Sequence, residues 1–227
     1  MATRYHPLYN VDISFPGYGC PVMSQEVAMF KIPLLFTALL LALPQTSAFA
    51  DGVSQLVDVP AKEWRQQQPI FSRMTKQPNH VQLRITVHFT DEPKNFTKPL
   101  VEKLRILFHY SLTAIEGTKK KLWGDIPYHF YIDANGKLGE CRDPAYIPDS
   151  NTAYDRDGHI TIVLEGNIKD GITPAQKKKM NALILALQDK YLIPIERVGV
   201  HKDYAETDCP GPAVEQAVKV YKEEHSK

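Results

Sequence analysis

The spacing of apolar residues predicts several short β-strands. Residues 83–90 and 198–200 are short runs rich in β-branched residues, and each of them leads to a histidine. Runs of this kind are typical of buried strands. Residues 159–166 instead alternate between two faces, and Glu165 shares its face with Val163. This period of two is that of a strand, so the pattern predicts three strands.

A β-hairpin is predicted between the first and second of these segments. Residues 128–133 form another β-rich run, and the turn Ala134-Asn135-Gly136 leads back through Leu138. Asn-Gly between two apolar runs is the strongest short-range signal of a hairpin. With its two strands, the predicted sheet has about five.

Helical periodicity follows in three other segments. A helix is predicted from Thr97 to Gly117, with apolar positions at Leu100, Val101, Leu104, Leu107, Phe108, Leu112 and Ile115. The capping box Thr173-Pro174-Ala175-Gln176 begins a second helix, whose core-facing stripe is Met180, Leu183, Ile184, Leu187 and Tyr191. Pro212 begins a last, short helix. This order predicts an α/β fold, in which a central mixed β-sheet of about five strands has helices packed on its faces.

The N-terminal fifty residues have the pattern of an export signal. The basic start Phe30-Lys31 precedes an apolar run at residues 32–43 and a small-x-small site at Ala48-Phe49-Ala50. This order is typical of a secretory signal peptide, and the apolar run is too short for an ordinary membrane span. Retention of the run as an uncleaved anchor is the alternative.

Three parts of the chain follow from this signal. Residues 1–28 are either a tolerated extension or lie before the true start at Met29, residues 29–50 are the signal peptide, and residues 51–227 are one domain. The first thirty residues of that domain are polar and rich in glutamine, and we expect a loose arm that Trp64 packs against the rest. A cleaved product would be periplasmic or secreted, without a membrane anchor.

Composition limits the partners of the chain. Its 227 residues are 43% hydrophobic, which is enough for one domain with a substantial core. The 27 basic and 26 acidic residues leave a formal net charge of +1. This balance indicates neither a nucleic acid nor an anionic membrane as a partner.

A metal site is suggested by histidines at strand ends. His201 follows the run 198–200, and Cys209 comes eight residues later, just before Pro210-Gly211. Imidazole nitrogen and thiolate sulfur both suit Zn²⁺, although a histidine and a cysteine can also fall near each other by chance. His88, near the end of the run 83–90, is the candidate third ligand, because two strands that end on histidines can meet at one edge of a sheet.

Together with Tyr128-His129-Phe130, this layout resembles the zinc-dependent N-acetylmuramoyl-L-alanine amidases, the family shared by peptidoglycan recognition proteins and phage amidase-lysozymes. The resemblance runs from about residue 64 to about residue 214. It implies a zinc ion bound by His88, His201 and Cys209 at one edge of the sheet. It also implies hydrolysis of the amide bond between N-acetylmuramic acid and L-alanine in cell-wall peptidoglycan, by a monomer that acts on peptidoglycan or muropeptides.

The resemblance also implies roles for residues around the metal. Tyr128 on the hairpin and Thr207, two residues before the last ligand, are the expected catalytic residues. Relatives with a glutamate base carry it at the position of Val163, so Glu165 is a second candidate for proton transfer. Relatives often place a histidine in the loop that here contains Asn151, which makes Asn151 a candidate substrate contact. His129 should point to the opposite face as a structural histidine.

Three alternatives stay open at this point. Cys141 and Cys209 could form a disulfide in an oxidising compartment, although relatives usually carry glycine at the position of Cys141. A peptidoglycan-binding module without a metal would keep the fold, but such proteins typically replace the final cysteine. A zinc peptidase that cuts within the stem peptide would use the same metal and the same nucleophile.

Overall fold

The computed structural model describes residues 51–81, 83–113 and 121–226. The expected N-terminal extension and signal peptide, residues 1–50, lie outside the described residues, as does the predicted end of the first long helix at Ile115 and Gly117. Among the described residues, no helix is both long enough and apolar enough to cross a membrane.

A five-stranded mixed sheet forms the centre of the domain. Its strands are β1 (Arg84–Phe89), β2 (Phe130–Ile132), β3 (Leu138–Glu140), β4 (His159–Leu164) and β5 (Val198–Val200). They lie in the order β3-β2-β4-β1-β5, and every neighbouring pair is parallel except the β2–β3 hairpin. This arrangement confirms the predicted α/β fold and its strand number.

The hairpin turn forms where the Asn-Gly signal predicted it. The amide of Asp133 donates to the carbonyl of Lys137 at 3.0 Å, and Gly136 has a φ of +79°. A residue with a side chain is disfavoured at this φ, and a Cβ at Gly136 would also lie 2.7 Å from the carbonyl oxygen of Ala175. Glycine is therefore required here by the backbone and by the neighbouring helix.

In the part of the chain that the structure describes, five α-helices and three single 3₁₀ turns surround the sheet. The helices are α1 (Gly52–Leu56), α2 (Ala61–Trp64), α3 (Leu100–Leu112), α4 (Pro174–Tyr191) and α5 (Pro212–His225). The 3₁₀ turns are Phe71–Arg73, Ile195–Arg197 and His201–Asp203. The capping box of α4 is present as predicted, because Thr173 and Gln176 each accept the other's backbone N–H through a side-chain oxygen.

The structure corrects three details of the predicted elements. The helix α3 begins at Leu100 and not at Thr97, because the side chain of Asn95 accepts the N–H groups of Thr97 and Lys98 and closes a turn before it. The helix α5 has 14 residues and is not short. Residues 51–80 are not loose, since they include the helices α1 and α2; Trp64 packs them against the domain as expected, being fully buried with its indole N–H donating to the backbone carbonyl of Glu140 at 2.7 Å.

Both faces of the sheet are covered by apolar side chains. On one face, Ile85, Ile160 and Ile162 pack in a core cluster with residues of α4 and α5. On the other face, Val163 and Tyr131 belong to a second cluster, which includes Trp64 of α2 and residues of α3. Because both faces are closed, a ligand must approach the sheet at the ends of its strands, as is general for parallel sheets.

Candidate metal centre and groove

Three potential metal ligands meet at the carboxyl ends of β1 and β5. The register pairs Val87 with Val200. His88 follows Val87 within β1 and His201 follows Val200 directly after β5, so the two histidines lie side by side, with ring centroids 4.4 Å apart. Cys209 returns from the following loop, where its carbonyl accepts the N–H of Lys202 at 3.1 Å and its sulfur accepts the N–H of Phe89 at 3.4 Å. Backbone pairing thus brings together residues that are far apart in the chain.

The spacing of the three donor groups suits one tetrahedral ion. One ligand atom from each of His88, His201 and Cys209 lies within 4.8 Å of the other two, and His88 Nδ1 is 3.8 Å from Cys209 Sγ. Two donors on a zinc tetrahedron, with Zn–S about 2.3 Å and Zn–N about 2.0 Å, are separated by about 3.5 Å. The cluster needs only a small contraction to reach this geometry.

An unsatisfied polar atom also indicates a cation at this cluster. Among the described residues, His201 Nδ1 is buried without a hydrogen-bond partner, an arrangement that costs about 1–3 kcal/mol. Burial lowers the pKa of the His88 and His201 imidazoles, which keeps them neutral and able to bind a metal. Burial raises the pKa of the Cys209 thiol to about 12. A bound cation would stabilise the thiolate, so the residues fit zinc.

Cys141 takes no part in this cluster. It is buried in the core cluster that contains Trp64 and Leu104, and its Sγ lies 3.8 Å from the carbonyl oxygen of Gly139. Cys141 and Cys209 are both free cysteines. The alternative of a disulfide between them is therefore wrong, because Cys141 packs among apolar side chains while Cys209 faces the histidines.

A groove beside the metal cluster contains Tyr128, Asn151 and Glu165. It encloses about 700 Å³, with the charged residues Asp91 and Lys98 also on its wall. The ring of Tyr128 lies 5.3 Å from that of His88, measured between centroids, and burial raises the pKa of this phenol. Tyr128 therefore keeps its proton and stands between the potential ligands and the groove.

Glu165 lies in the wall of the groove, and its carboxylate has three hydrogen-bond partners. Its carboxylate accepts the backbone N–H groups of Asn95 at 3.0 Å and Ala134 at 2.7 Å, and the Lys103 ammonium at 2.7 Å. Lys103 is also 3.8 Å from Asp133. His88 is paired with Val163 in the register of β1 and β4, so Glu165 lies two positions further along. These contacts favour a role in holding the wall over one in proton transfer.

The remaining predicted residues have different surroundings. Thr207 accepts the backbone N–H of Cys209 through its hydroxyl at 3.2 Å, and Asn151 is an exposed residue on the groove. His129 is hydrogen-bonded, as expected of a structural histidine: its ring nitrogens contact Thr161 Oγ1 at 3.0 Å and the carbonyl oxygen of Tyr146 at 2.9 Å. Its predicted position on the opposite face is wrong, because Thr161 shares the face of Val163, the residue paired with His88. Burial lowers the pKa of His129 to about 3, so it is a neutral structural histidine.

Thr152, which follows Asn151 in the loop expected to contact substrate, makes a contact with the metal cluster that the sequence did not predict. Its hydroxyl oxygen lies 2.6 Å from His201 Nε2. The two residues are 49 positions apart, and the contact depends on the path of the loop between β3 and β4. A threonine in a polar loop carries no signal of such a contact.

Comparison with known proteins identifies the family of the chain. The family profile described as N-acetylmuramoyl-L-alanine amidase matches residues 77–212. This match spans more than half of the chain and includes the three clustered donors. The chain belongs to the N-acetylmuramoyl-L-alanine amidase family. The family is zinc-dependent, in agreement with the fit of the His-His-Cys cluster to zinc.

Phage endolysins are relatives of this family member. The endolysin of Enterobacteria phage T3 is 31% identical over 98 residues, a match that covers 40% of this chain and 63% of the phage protein. The endolysin of Escherichia phage T7 is 30% identical over a match of the same extent. The match therefore spans less than two thirds of the length of either relative.

Solved structures share the fold of this amidase-family chain. Drosophila peptidoglycan recognition protein SD superposes with a TM-score of 0.60 and 18% identity, over 72% of this chain and 94% of that chain. The endolysin LysCS of Clostridium intestinale, an N-acetylmuramoyl-L-alanine amidase, superposes with a TM-score of 0.51 and 24% identity, over 71% and 92%. At these identities the similarity establishes a common fold.

The buried charges in the groove wall predict that loss of the Lys103 ammonium group strongly lowers the stability of the fold. Lys103→Met leaves the carboxylates of Glu165 and Asp133 buried without their cation, and we expect the free energy of unfolding to fall by about 3–5 kcal/mol. Lys98→Met is the matched control, because Lys98 lines the same groove but is partly exposed, and its effect should stay within about 0.5 kcal/mol. Urea unfolding measures both; equal effects would contradict a structural role for the Lys103 pair.

Proposed function

We propose that this protein is a zinc-dependent amidase that cleaves the bond between N-acetylmuramic acid and L-alanine in peptidoglycan or muropeptides. The observation that carries the proposal is the convergence of His88, His201 and Cys209 beside a groove, within the region that matches the family profile. The names of the related endolysins and of the peptidoglycan recognition proteins agree with a cell-wall substrate.

The chemistry follows from the residues around the centre. His88, His201 and Cys209 would hold the metal, and three protein ligands leave one position open to water. Zinc bound there supplies a water with a pKa of about 7 and polarises the amide carbonyl. The residues of the chain then orient the substrate in the groove and supply donors for the charge that develops on its oxygen.

Tyr128 is the residue best placed to be such a donor. It lies between His88 and the groove, and a phenol keeps its proton at neutral pH, so its O–H can donate to the carbonyl oxygen as negative charge develops. Thr207 is the second candidate. Its oxygen already accepts the N–H of Cys209, which leaves its own proton free to be donated. Asn151 would contact the substrate from the loop across the groove.

Two other functions are less well supported by the site. A binding module without a metal does not need three buried donors with an unsatisfied nitrogen among them, yet this chain retains them. A zinc peptidase that cuts within the stem peptide would use the same centre. The products distinguish it from the amidase, because only the amidase releases stem peptides that begin with a free L-alanine amine.

We also propose that the chain is exported, cleaved after Ala50 and active as a monomer in the periplasm or outside the cell. The support is the order of the basic start, the apolar run and the small-x-small site. N-terminal sequencing of the exported protein should begin at Asp51. Recovery of a product that retains residues 30–43 would favour an uncleaved anchor.

Replacing Cys209 tests the metal and the reaction together. Cys209→Ser substitutes a harder oxygen for the sulfur with little change of volume, so we expect zinc content to fall well below one per chain and the release of stem peptides to stop. Elemental analysis and mass spectrometry of digested peptidoglycan measure the two effects. Cys141→Ser is the control, a buried cysteine outside the cluster, and should keep both zinc and activity. Full zinc content in Cys209→Ser would show that Cys209 is no ligand.

Substitutions of Tyr128 and Glu165 should differ in their effects on kcat. Tyr128→Phe removes a donor whose loss typically costs about 10²–10³ in kcat, so kcat should fall at least about tenfold while zinc is retained. Glu165→Gln should lower kcat less, once corrected for the folded fraction, because its carboxylate is held by Lys103 and two backbone N–H groups. The reverse ranking, with loss of the acidic limb of the pH–rate profile in Glu165→Gln, would make Glu165 the base.

A further inference from the structure

The loop between β3 and β4 makes a polar contact with His201, one of the three potential metal ligands. Thr152 Oγ1 lies 2.6 Å from His201 Nε2, whereas His201 Nδ1 is buried without a partner. The two ring nitrogens therefore have different surroundings. Nδ1 is the atom available to a metal, and Nε2 is the atom that the loop between β3 and β4 contacts.

The direction of the hydrogen bonds follows from this difference. A neutral imidazole that offers Nδ1 to a metal carries its proton on Nε2, so Nε2–H donates to Thr152 Oγ1. The Thr152 hydroxyl then has its own proton to donate to Ser150 Oγ, which lies 2.8 Å away. Ser150 Oγ also accepts the backbone N–H of Thr152 at 3.2 Å. In this arrangement Thr152 presents an acceptor to His201, because its own proton is directed to Ser150.

Packing holds the His201 ring in the same orientation. The ring of Tyr154 lies 5.2 Å from that of His201 on the loop side, and the ring of His88 lies 4.4 Å away. Rotation of the imidazole by half a turn about its Cβ–Cγ bond would place Cε1 at the position of Nε2 and Cδ2 at the position of Nδ1. The hydrogen bond to Thr152 and the nitrogen available to the metal would then both be lost. Between these two neighbouring rings, the hydrogen bond to Thr152 is the contact that distinguishes the two orientations.

We propose that Thr152 is a positioning residue of the metal centre, which fixes the tautomer and the orientation of His201. The inference rests on the proposed zinc centre. Partners of this kind hold a ligating histidine in place, and their loss typically lowers metal affinity about 10–100-fold. The metal affinity of this protein therefore depends on a threonine hydroxyl in a loop that is not itself a ligand.

Two substitutions of Thr152 provide the test. Thr152→Val keeps the shape of the side chain and removes the acceptor, and zinc affinity measured by competition with a chelator should fall about 10–100-fold. Thr152→Ser keeps the hydroxyl and should restore affinity to within about threefold of the original protein. The visible spectrum of the Co²⁺-substituted protein should change in Thr152→Val and not in Thr152→Ser. A purely structural role for the loop would not produce this pattern.

A control and a metal-free measurement complete the experiment. Asn151→Ala changes the neighbouring residue on the groove and should leave zinc affinity within about twofold. In the metal-free protein, ¹⁵N NMR should show the His201 proton on Nε2, and this preference should be lost in Thr152→Val. Unchanged zinc affinity and an unchanged tautomer in Thr152→Val would overturn the inference. Failure of the unsubstituted protein to bind zinc would instead overturn the proposed zinc centre.

Discussion

The parallel pairing of β1 with β5 is the constraint on which the metal centre depends. It brings Val87 opposite Val200, so the residue after each valine, His88 within β1 and His201 directly after β5, is a histidine. A slip of one residue would turn the side chains of the slipped strand to the opposite face and separate the two imidazoles. Apolar residues of β1 and β5 in the core oppose such a slip, since Ile85 and Val198 are almost completely buried.

The buried ion pair between Glu165 and Lys103 stabilises the wall of the groove. Glu165 connects the end of β4 to the segment before α3 through Asn95, to the hairpin turn through Ala134 and to α3 itself through Lys103. Buried charges are costly unless they are paired and hydrogen-bonded, and here each acceptor has a partner. The wall is therefore fixed by contacts that do not involve the potential metal ligands.

Local signals explain what could be predicted from the sequence. The Asn-Gly turn, the Thr173 capping box and the strand-end histidines each involve residues close together in the chain, and each is present in the structure. The helix α3 starts later than its apolar periodicity predicts because a side-chain turn at Asn95 competes with the helix. The engagement of Glu165 and the contact of Thr152 with His201 join residues from separate loops and helices, so no local pattern indicates them.

Because the potential ligands are far apart in the sequence, metal binding would also affect the stability of the fold. Cys209 follows His88 by 121 residues, so the unfolded chain has no preformed site and an ion bound at this cluster would join distant parts of the domain. A ligand that binds only the folded state adds about 2.7 kcal/mol of stability when its concentration is 100 times its Kd. The ion would thus act as a removable cross-link, and a compartment depleted of zinc would lose folded protein as well as catalysis.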